Sequence, residues 1–445
     1  MTRGADHAEP ETPAGAGRVL VVCPRPLHAE TRAGARADDP LRRKSEARHL
    51  AEALGLKVNA VIAPRPAAAR AATLVSAGQC DSLKERLLEN PAELVFIDAA
   101  LSPRQQRNLE DVLGAKVLDR TGLILEVFAI RARSRAGRLQ VSLARLAWQR
   151  TRLVRSWTHL ERQRGATAKA AGPGERQLEL DRRLLDRRLL YARRELAKLA
   201  RTQTTQRARR RHGQHLQVVA LVGYSNAGKS TLFNALTRGG SQASPRLFET
   251  LDPKMRRVSL DGAGDVVLSD TVGFISDLPH ELIEAFRATL EEVRLADLIL
   301  HVRDAASPYR REESLAVESV LDEILAADET TDETPPVLSV WNKIDLLKTP
   351  PDSAGGNSTL AISARRGDGM DDLRAAITRL LRDTGAAREI LLPHDAGDAL
   401  AWLHRHGEVR SQKGDADGVR LQVHLADASA AKFAHLWPRL ARQIH

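Results

Sequence analysis

An eight-residue motif in the middle of the chain places the tightest constraint on its fold. Residues 223–230 read Gly-Tyr-Ser-Asn-Ala-Gly-Lys-Ser, which fits the phosphate-loop pattern G-x-x-x-x-G-K-[ST]. An apolar run at 217–222 precedes the motif and a helical pattern follows from Thr231, so the motif is expected between a strand and a helix. This context predicts an α/β domain with a mainly parallel sheet. Glycines at both ends allow backbone N–H groups to surround a phosphate at the positive end of the helix.

Two side chains of the motif and one carboxylate downstream complete a phosphate and metal site. Lys229 is predicted to reach the β- and γ-phosphates, and Ser230 is predicted to bind Mg²⁺, a hard cation that prefers oxygen ligands. The run Asp270-Thr271-Val272-Gly273 ends a predicted strand and places a carboxylate near the water shell of Mg²⁺. The N–H group of Gly273 is expected where a γ-phosphate would lie.

A third motif predicts which base the site prefers. Asn342-Lys343-Ile344-Asp345 follows a predicted strand at 337–341, and Ser363-Ala364-Arg365 fits the loop that lies behind the base. The carboxylate of Asp345 can accept hydrogen bonds from the ring N–H and the exocyclic amino group of guanine, whereas adenine offers neither donor in that arrangement. The three motifs together indicate a guanine-nucleotide switch.

The segment between the first two motifs is the candidate switch loop. It reads Phe248-Glu249-Thr250-Leu251-Asp252, and Thr250 would join Mg²⁺ only when a γ-phosphate is present. Phe274 follows Gly273, and its ring cannot orient an attacking water, so no residue is assigned to that role. The predicted metal ligands are Ser230 and Thr250, and the predicted γ-phosphate sensors are Thr250 and Gly273. The predicted nucleotide-binding residues are Gly223, Tyr224, Ser225, Asn226, Ala227, Gly228, Lys229, Ser230, Thr231, Phe248, Glu249, Thr250, Leu251, Asp252, Asp270, Thr271, Val272, Gly273, Asn342, Lys343, Ile344, Asp345, Ser363, Ala364 and Arg365.

A basic helical region precedes the phosphate loop and carries the excess charge of the chain. The net charge is +11, and residues 151–211 hold 18 Lys and Arg against 6 Asp and Glu, so the remainder is close to neutral. Leucines recur at heptad-like spacings over 139–160 and again over 178–199, with an Ala- and Gly-rich segment at 164–174 between them. We expect a helical hairpin with that segment at its tip. It is either a solvated coiled coil or a basic arm that binds RNA or DNA.

The remaining regions predict further folded domains without obvious catalytic residues. Apolar runs at 18–23, 58–63, 93–98 and 116–118 alternate with helical stretches and predict an N-terminal parallel α/β domain. A strand, a helix and a strand after residue 386 predict a small C-terminal α+β domain. The expected divisions are a disordered leader at 1–17, the N-terminal domain at 18–135, the hairpin at 136–212, the GTPase-type domain at 213–385 and the C-terminal domain at 386–445.

The cysteine content and the hydropathy of the chain indicate its cellular compartment. The 445 residues include 2 cysteines, Cys23 and Cys80, which supply neither a disulfide framework nor a cysteine metal site. A reducing compartment fits this usage best. No run approaches the length of about 18 apolar residues that a membrane span needs. We therefore expect a cytoplasmic protein, and we expect it to be a monomer.

Several of these motifs together resemble the HflX family of ribosome-associated GTPases over nearly the whole chain. The matching runs include Asp119-Arg120-Thr121, Gly172-Pro173-Gly174-Glu175, Asp181-Arg182-Arg183, Thr250-Leu251-Asp252-Pro253, Asp270-Thr271-Val272-Gly273-Phe274-Ile275 and the run from Ala285 to Glu292. The Gly-Pro-Gly-Glu run at the hairpin tip separates this family from its relatives. The resemblance implies the four domains above, with the hairpin tip near the peptidyl-transferase region of the large ribosomal subunit.

The expected activity is hydrolysis of GTP to GDP and phosphate, with Mg²⁺ as cofactor. The resemblance implies that the partners are the large ribosomal subunit and its ribosomal RNA, and that the protein acts in ribosome dissociation, rescue or biogenesis. In the alternative, the protein is an RNA-binding ribosome-assembly module in which the nucleotide is mainly a structural ligand.

Overall fold

The computed structural model of the protein divides into two compact units. It describes residues 17–25, 39–163, 173–214, 216–237, 248, 253–261, 264–276, 280–326, 334–347, 359–383, 386–415, 418–425, 427–438 and 440. The first unit contains the described residues up to Ile130 together with Val141–Leu190, and the second contains Arg131–Gln140 and the described residues from Tyr191 onward. The predicted leader lies outside the described residues except for its last position, and so does most of the predicted hairpin tip.

The first unit is built on a four-stranded parallel sheet in the order β2-β1-β3-β4. Its strands are β1 Arg18–Val22, β2 Lys57–Ile62, β3 Leu94–Ile97 and β4 Lys116–Asp119. Its helices are α1 Pro40–Ala53, α2 Ala77–Glu89, α3 Pro103–Leu113 and α4 Arg120–Arg131, the last ending just past the unit boundary. Helices α2 and α3 both begin at a serine that forms a reciprocal capping box with a glutamine three residues later. The predicted parallel α/β fold is confirmed.

Buried charges hold the carboxyl edge of this sheet together. Asp98, directly after β3, is fully buried and accepts hydrogen bonds from Arg120 at 2.6 Å and Arg43 at 2.9 Å. Arg120 also pairs with Glu46 on α1. Because each buried charge has an oppositely charged partner, the network joins α1, β3 and α4 without leaving an isolated ion in the core.

Two long helices form the predicted hairpin. They are α5 Arg135–Gln163 and α6 Pro173–Gln214. Within the first unit Arg150 pairs with Asp186 at 2.8 Å, and within the second Arg135 pairs with Glu195 at 2.9 Å. These pairings require the two helices to run antiparallel. The buried side chains along the predicted seam include Leu143, Leu189 and Ala192.

The second unit contains a six-stranded sheet in the order β10-β9-β8-β5-β7-β6. Its strands are β5 Gln217–Gly223, β6 Lys254–Leu260, β7 Gly264–Asp270, β8 Leu298–Asp304, β9 Val337–Asn342 and β10 Thr359–Ala361. Its helices are α7 Lys229–Thr237, α8 His280–Arg294, α9 Arg310–Leu325 and α10 Met370–Asp383. All neighbouring pairs are parallel except β6 and β7, which form an antiparallel edge. The carboxyl ends of β5, β7 and β9 therefore meet at one edge of the sheet.

The C-terminal part of the second unit is a three-stranded antiparallel sheet in the order β11-β13-β12. It consists of β11 Ala386–Leu392, α11 Gly397–His406, β12 Glu408–Asp415, β13 Gly418–Leu425 and α12 Asp427–Leu436. Trp402 stacks on His406 at a centroid distance of 4.2 Å and lies beside Phe433. This apolar cluster completes a small α+β fold, as predicted.

Two further observations concern the cysteines and the helices. Cys23 and Cys80 are both buried and free. Burial, together with the neighbouring Asp98, raises the pKa of the Cys23 thiol to about 12. Burial also raises the pKa of Cys80. Within the part of the chain that the structure describes, no helix combines the length and apolar character needed to cross a membrane.

Candidate nucleotide-binding site

The phosphate loop connects β5 to α7, as the sequence predicts, and two of its glycines have no room for a side chain. A Cβ at Gly223 would lie 2.2 Å from the carbonyl oxygen of Val302, and a Cβ at Gly228 would lie 2.2 Å from Nδ2 of Asn342. Gly228 also has a φ of +95°, a conformation that favours glycine. The loop therefore lies directly against β8 and against the residue that ends β9.

Lys229 is the first residue of α7 and its side chain is buried under the loop. Its Nζ donates to the carbonyl oxygens of Gly223 and Tyr224, each at 3.0 Å. The pKa of Lys229 is lowered to about 8, mainly by burial; Asp270 opposes the shift and Lys343 contributes to it. The ammonium group is thus held inside the curve of the loop, where a phosphate oxygen would meet it.

Ser230 and Asp270 bring two hard oxygen donors together beside the loop. The hydroxyl of Ser230 donates to Oδ2 of Asp270 at 2.8 Å. Asp270 ends β7, pairs in register with Leu221 of β5 and is fully buried. A hydroxyl and a buried carboxylate at this distance fit the oxygen chemistry of Mg²⁺.

The segment after Asp270 is bonded to the phosphate loop through its backbone. The N–H of Phe274 donates to the carbonyl oxygen of Gly223 at 3.2 Å, and the N–H of Ser225 donates to the carbonyl oxygen of Phe274 at 2.6 Å. The side chain of Thr271 donates to the carbonyl oxygen of Leu221 at 2.6 Å. The loop and this segment therefore form one continuous backbone frame.

A tyrosine of the loop adds a side-chain connection to the same segment. The hydroxyl of Tyr224 accepts a hydrogen bond from the N–H of Ser276 at 2.9 Å and lies 2.8 Å from the hydroxyl of Ser276. Sequence reasoning placed Tyr224 in the loop but missed Ser276. The hydroxyl residue beyond the run 270–275 was the available signal.

The third motif joins the loop to the candidate base-binding side of the site. Asn342 donates to the carbonyl oxygen of Ala227 at 2.9 Å and accepts from the N–H of Ala364 at 3.0 Å. The hydroxyl of Ser363 donates to Oδ1 of Asp345 at 2.7 Å, which fixes the carboxylate that is predicted to meet the base. The structure thus brings the predicted loop behind the base next to Asp345, although Arg365 itself is exposed.

Asp304, which contacts Lys343, is a second site residue that sequence reasoning missed. The Nζ of Lys343 donates to the carbonyl oxygen of Asn226 at 2.7 Å and to Oδ2 of Asp304 at 2.6 Å. Asp304 is the last residue of β8, and the position of a carboxylate at the end of a parallel strand beside the loop was the signal for it. The pair holds the lysine across the loop.

The predicted switch loop is only partly described. Phe248 is buried with a φ of 54°. Glu249, Thr250, Leu251 and Asp252 lie outside the described residues. The remaining predicted site residues, from 223–231, 270–273, 342–345 and 363–365, come together at the carboxyl ends of β5, β7, β9 and β10.

Four protein-family profiles match successive parts of the chain. They are described as GTP-binding GTPase N-terminal at residues 42–129, GTP-binding GTPase Middle Region at 131–210, 50S ribosome-binding GTPase at 218–343 and HflX C-terminal domain at 352–440. Together they cover most of the chain.

Individual relatives match over similar lengths. A GTPase HflX of Magnetococcus marinus is 45% identical over 384 residues, which is 85% of this chain and 87% of the relative. A GTPase HflX of Escherichia coli K12 is 42% identical over 375 residues, covering 83% and 84% of the two chains. A crystal structure of a GTP-binding protein from Sulfolobus solfataricus in complex with GDP is 22% identical with a TM-score of 0.43, and covers 82% of this chain and 98% of that chain.

Proposed function

Because the chain belongs to the HflX family of GTPases, and is therefore a GTP hydrolase, we propose that its nucleotide state controls binding to the large ribosomal subunit. We further propose that it acts there in ribosome dissociation, rescue or biogenesis, in the cytoplasm and as a monomer. A profile described as 50S ribosome-binding GTPase matches residues 218–343, which supports the choice of subunit.

The proposed nucleotide site consists of the residues that the three motifs contribute. Asp345, held at Oδ1 by Ser363, accepts the ring N–H and the amino group of guanine. Lys229 and the N–H groups of the loop bind the phosphates, at the amino end of α7. Asn342 and Lys343 keep the loop beside the base site through their bonds to Ala227 and Asn226. The backbone frame at Phe274 holds Gly273 next to the same phosphates.

Mg²⁺ is the proposed cofactor, and the donor set fits it. Ser230 is the proposed ligand from the phosphate loop and Thr250 the proposed ligand from the switch loop, while Asp270, bonded to Ser230, would lie beside the water shell of the ion. When bound, the ion neutralises negative charge that develops on the β- and γ-phosphates.

The exposed arginines of α6 are the observation that carries the ribosome proposal. Arg182, Arg183, Arg187 and Arg188 are all exposed on this helix. Guanidinium groups on a rigid helix suit the phosphates of folded RNA, because each contact releases counterions. Over residues 151–211 as a whole, 18 Lys and Arg stand against 6 Asp and Glu, an excess that a solvated coiled coil would not require.

Turnover and sedimentation test the proposal. GTP hydrolysis by the full chain is measured at saturating GTP with large subunits, with small subunits and alone, and cosedimentation is measured with GDP and with a non-hydrolysable GTP analogue. We expect large subunits to stimulate turnover, up to the range of about 10³–10⁵-fold that trans-acting groups achieve in related enzymes. We also expect tighter cosedimentation with the GTP analogue. Equal turnover and nucleotide-independent binding would instead favour the RNA-binding module.

A further inference from the structure

The motifs place Ser225 in the phosphate loop without giving its side chain a role in hydrolysis. In hydrolysis, the oxygen of a water forms a bond to the γ-phosphorus while the bond from phosphorus to the β–γ bridging oxygen breaks, giving GDP, phosphate and a proton. Phe274, which follows Gly273, offers only an apolar ring, and that ring is 3% exposed. Phe274 therefore supplies no hydrogen bond to the reacting group.

Most hydroxyl groups around the site already have partners. Ser230 donates to Asp270, Thr271 donates to the carbonyl oxygen of Leu221, and Tyr224 is bonded to Ser276. The hydroxyl of Ser225 differs, because it is buried and has no hydrogen-bond partner within the described part of the chain. Ser225 as a residue is only 7% exposed.

The hydroxyl of Ser225 faces the space between the phosphate loop and Gly273. A Cβ built on Gly273 would lie 2.8 Å from Oγ of Ser225 and 3.0 Å from Nζ of Lys229. The serine hydroxyl and the lysine ammonium therefore point to the same small volume, with Gly273 as its third wall. These are the groups between which the proposed γ-phosphate would bind.

The backbone of Ser225 is held in place. The N–H of Ser225 donates to the carbonyl oxygen of Phe274 at 2.6 Å, so the main chain of Ser225 cannot move away without breaking the bond between the loop and the Phe274 segment. A buried hydroxyl without a partner is unfavourable in a folded protein, and such groups are often retained for function. The arrangement holds a hydrogen-bond donor ready before the substrate binds.

From this geometry we infer that Ser225 is a catalytic residue whose hydroxyl donates a hydrogen bond to an oxygen of the γ-phosphoryl group as it is transferred to water. The inference rests on the nucleotide site proposed above. The bond is to a charged group, and charge on the γ-phosphoryl oxygens is redistributed in the transition state. GDP lacks this group, so the contact distinguishes GTP from GDP.

The test compares Ser225→Ala with Ser269→Ala in the full-length protein. Ser269 provides a matched control because its hydroxyl is also buried and without a partner among the described residues, but it lies inside β7 and points to the opposite face of the strand from Asp270. Affinities for fluorescent GDP and for a non-hydrolysable GTP analogue are measured, together with kcat for GTP with and without large subunits.

We expect Ser225→Ala to lower kcat by about 10-fold to 100-fold, the range for one hydrogen bond to a charged group. Affinity for the GTP analogue should fall, while GDP affinity stays within about twofold of the parent. Ser225→Thr, which keeps the hydroxyl, should retain most of the GTPase activity of the parent protein. Ser269→Ala should change none of these quantities.

Two results would overturn the inference. One is an unchanged kcat in Ser225→Ala, and the other is an equal loss of affinity for GDP and for the GTP analogue. If Ser225→Ala does not bind GDP at all, Ser225→Cys repeats the comparison with a side chain of similar size that donates weakly. Failure of the ribosome proposal would be recognised separately, because large subunits would then not stimulate GTP turnover by the parent protein.

Discussion

Asp345 illustrates how single residues carry the proposed selectivity of the site. Its carboxylate lies in a short 3₁₀ turn at Ile344–Leu346 and is fixed from one side by Ser363. The remaining oxygen lone pairs are available to a ligand, since a carboxylate accepts several hydrogen bonds. A base that presents two adjacent donors satisfies this group, and a base that presents none leaves it desolvated and unpaired.

Asp345→Asn should weaken GTP and GDP binding by at least about 100-fold, because two charge-assisted hydrogen bonds lose their acceptor. Competition against labelled GDP measures the change for GTP, ATP and xanthosine triphosphate. Xanthosine triphosphate should bind the variant better than GTP does, since a carbonyl oxygen of its base can accept a hydrogen bond from the new amide. Asp371→Asn, at a fully exposed position of α10, is the control and should have no effect. Displacement of GDP by ATP as effectively as by GTP in the parent would contradict the assignment.

The lowered pKa of Lys229 predicts that nucleotide binding depends on pH. Its folded-state pKa is lowered to about 8, and a bound phosphate stabilises the protonated form. The charge is thus present below pH 8 and is lost from the free protein as the pH rises through this value. At pH 9 only about a tenth of free molecules are protonated, so GDP affinity should fall by up to about tenfold between pH 7 and 9. Titration calorimetry checks this, and Lys229→Ala should bind weakly with no such additional decrease.

The residues of the site show what sequence patterns reveal and what they miss. Lys229, Ser230 and Asp270 were named because motif spacing and strand ends bring such residues to one edge of a parallel sheet. The Tyr224–Ser276 and Lys343–Asp304 contacts were missed because they depend on where loops cross, and no spacing in the chain encodes that distance. The nucleotide-binding roles themselves stay predictions.

At the scale of elements, helices and strands were recognised where their pattern was regular. Strand β12 is mostly polar, and it exists because it pairs with β13, which no local pattern reports. Helix α4 was missed because most of its side chains are buried. It has no continuous polar face, so its sequence does not show a helical period. Strand β6 belongs to an antiparallel edge that departs from the otherwise parallel plan.

Arg120 should be essential for joining elements in the first unit. Arg120→Ala leaves the fully buried carboxylate of Asp98 with one cationic partner fewer and removes a cationic partner of Glu46. We expect a loss of about 3–5 kcal/mol in the free energy of unfolding, measured by urea denaturation of the full chain. Arg48→Ala breaks an exposed pair with Glu52 on α1 and should cost less than about 1 kcal/mol. Similar losses in both variants would show that the buried network contributes little.

At the scale of the whole molecule, the proposed nucleotide site and the tip of the hairpin are separate parts of the chain. Every described residue of the site falls in the second unit, between residues 223 and 365. The tip at 164–174 lies far earlier in the sequence, mostly outside the described residues. The overall plan was predicted because each part has its own sequence signature. The predicted domain boundaries stay predictions.

Replacement of residues 164–175 by a short flexible linker should separate binding from action on the ribosome. Nucleotide affinity should be unchanged, and much of the affinity for large subunits should remain because the arginines of α6 are kept. Ribosome dissociation with GTP should be lost, as sedimentation profiles will show. Arg187→Glu with Arg188→Glu is the complementary variant, with an intact tip, lower subunit affinity and a shallower dependence of binding on salt. Unchanged dissociation by the linker variant would mean that the tip is only a connector.

The two buried cysteines have a practical consequence for spectroscopy. Thiolates attack the double bond of maleimide reagents, and both native thiols are buried with raised pKa values, so they should react slowly in the folded protein. A cysteine introduced at Tyr191, where the side chain is 65% exposed on α6, should therefore be labelled selectively without removing either native cysteine. A fluorophore attached there would report contact between this helix and a ribosomal subunit in real time, in the unaltered background of the natural sequence.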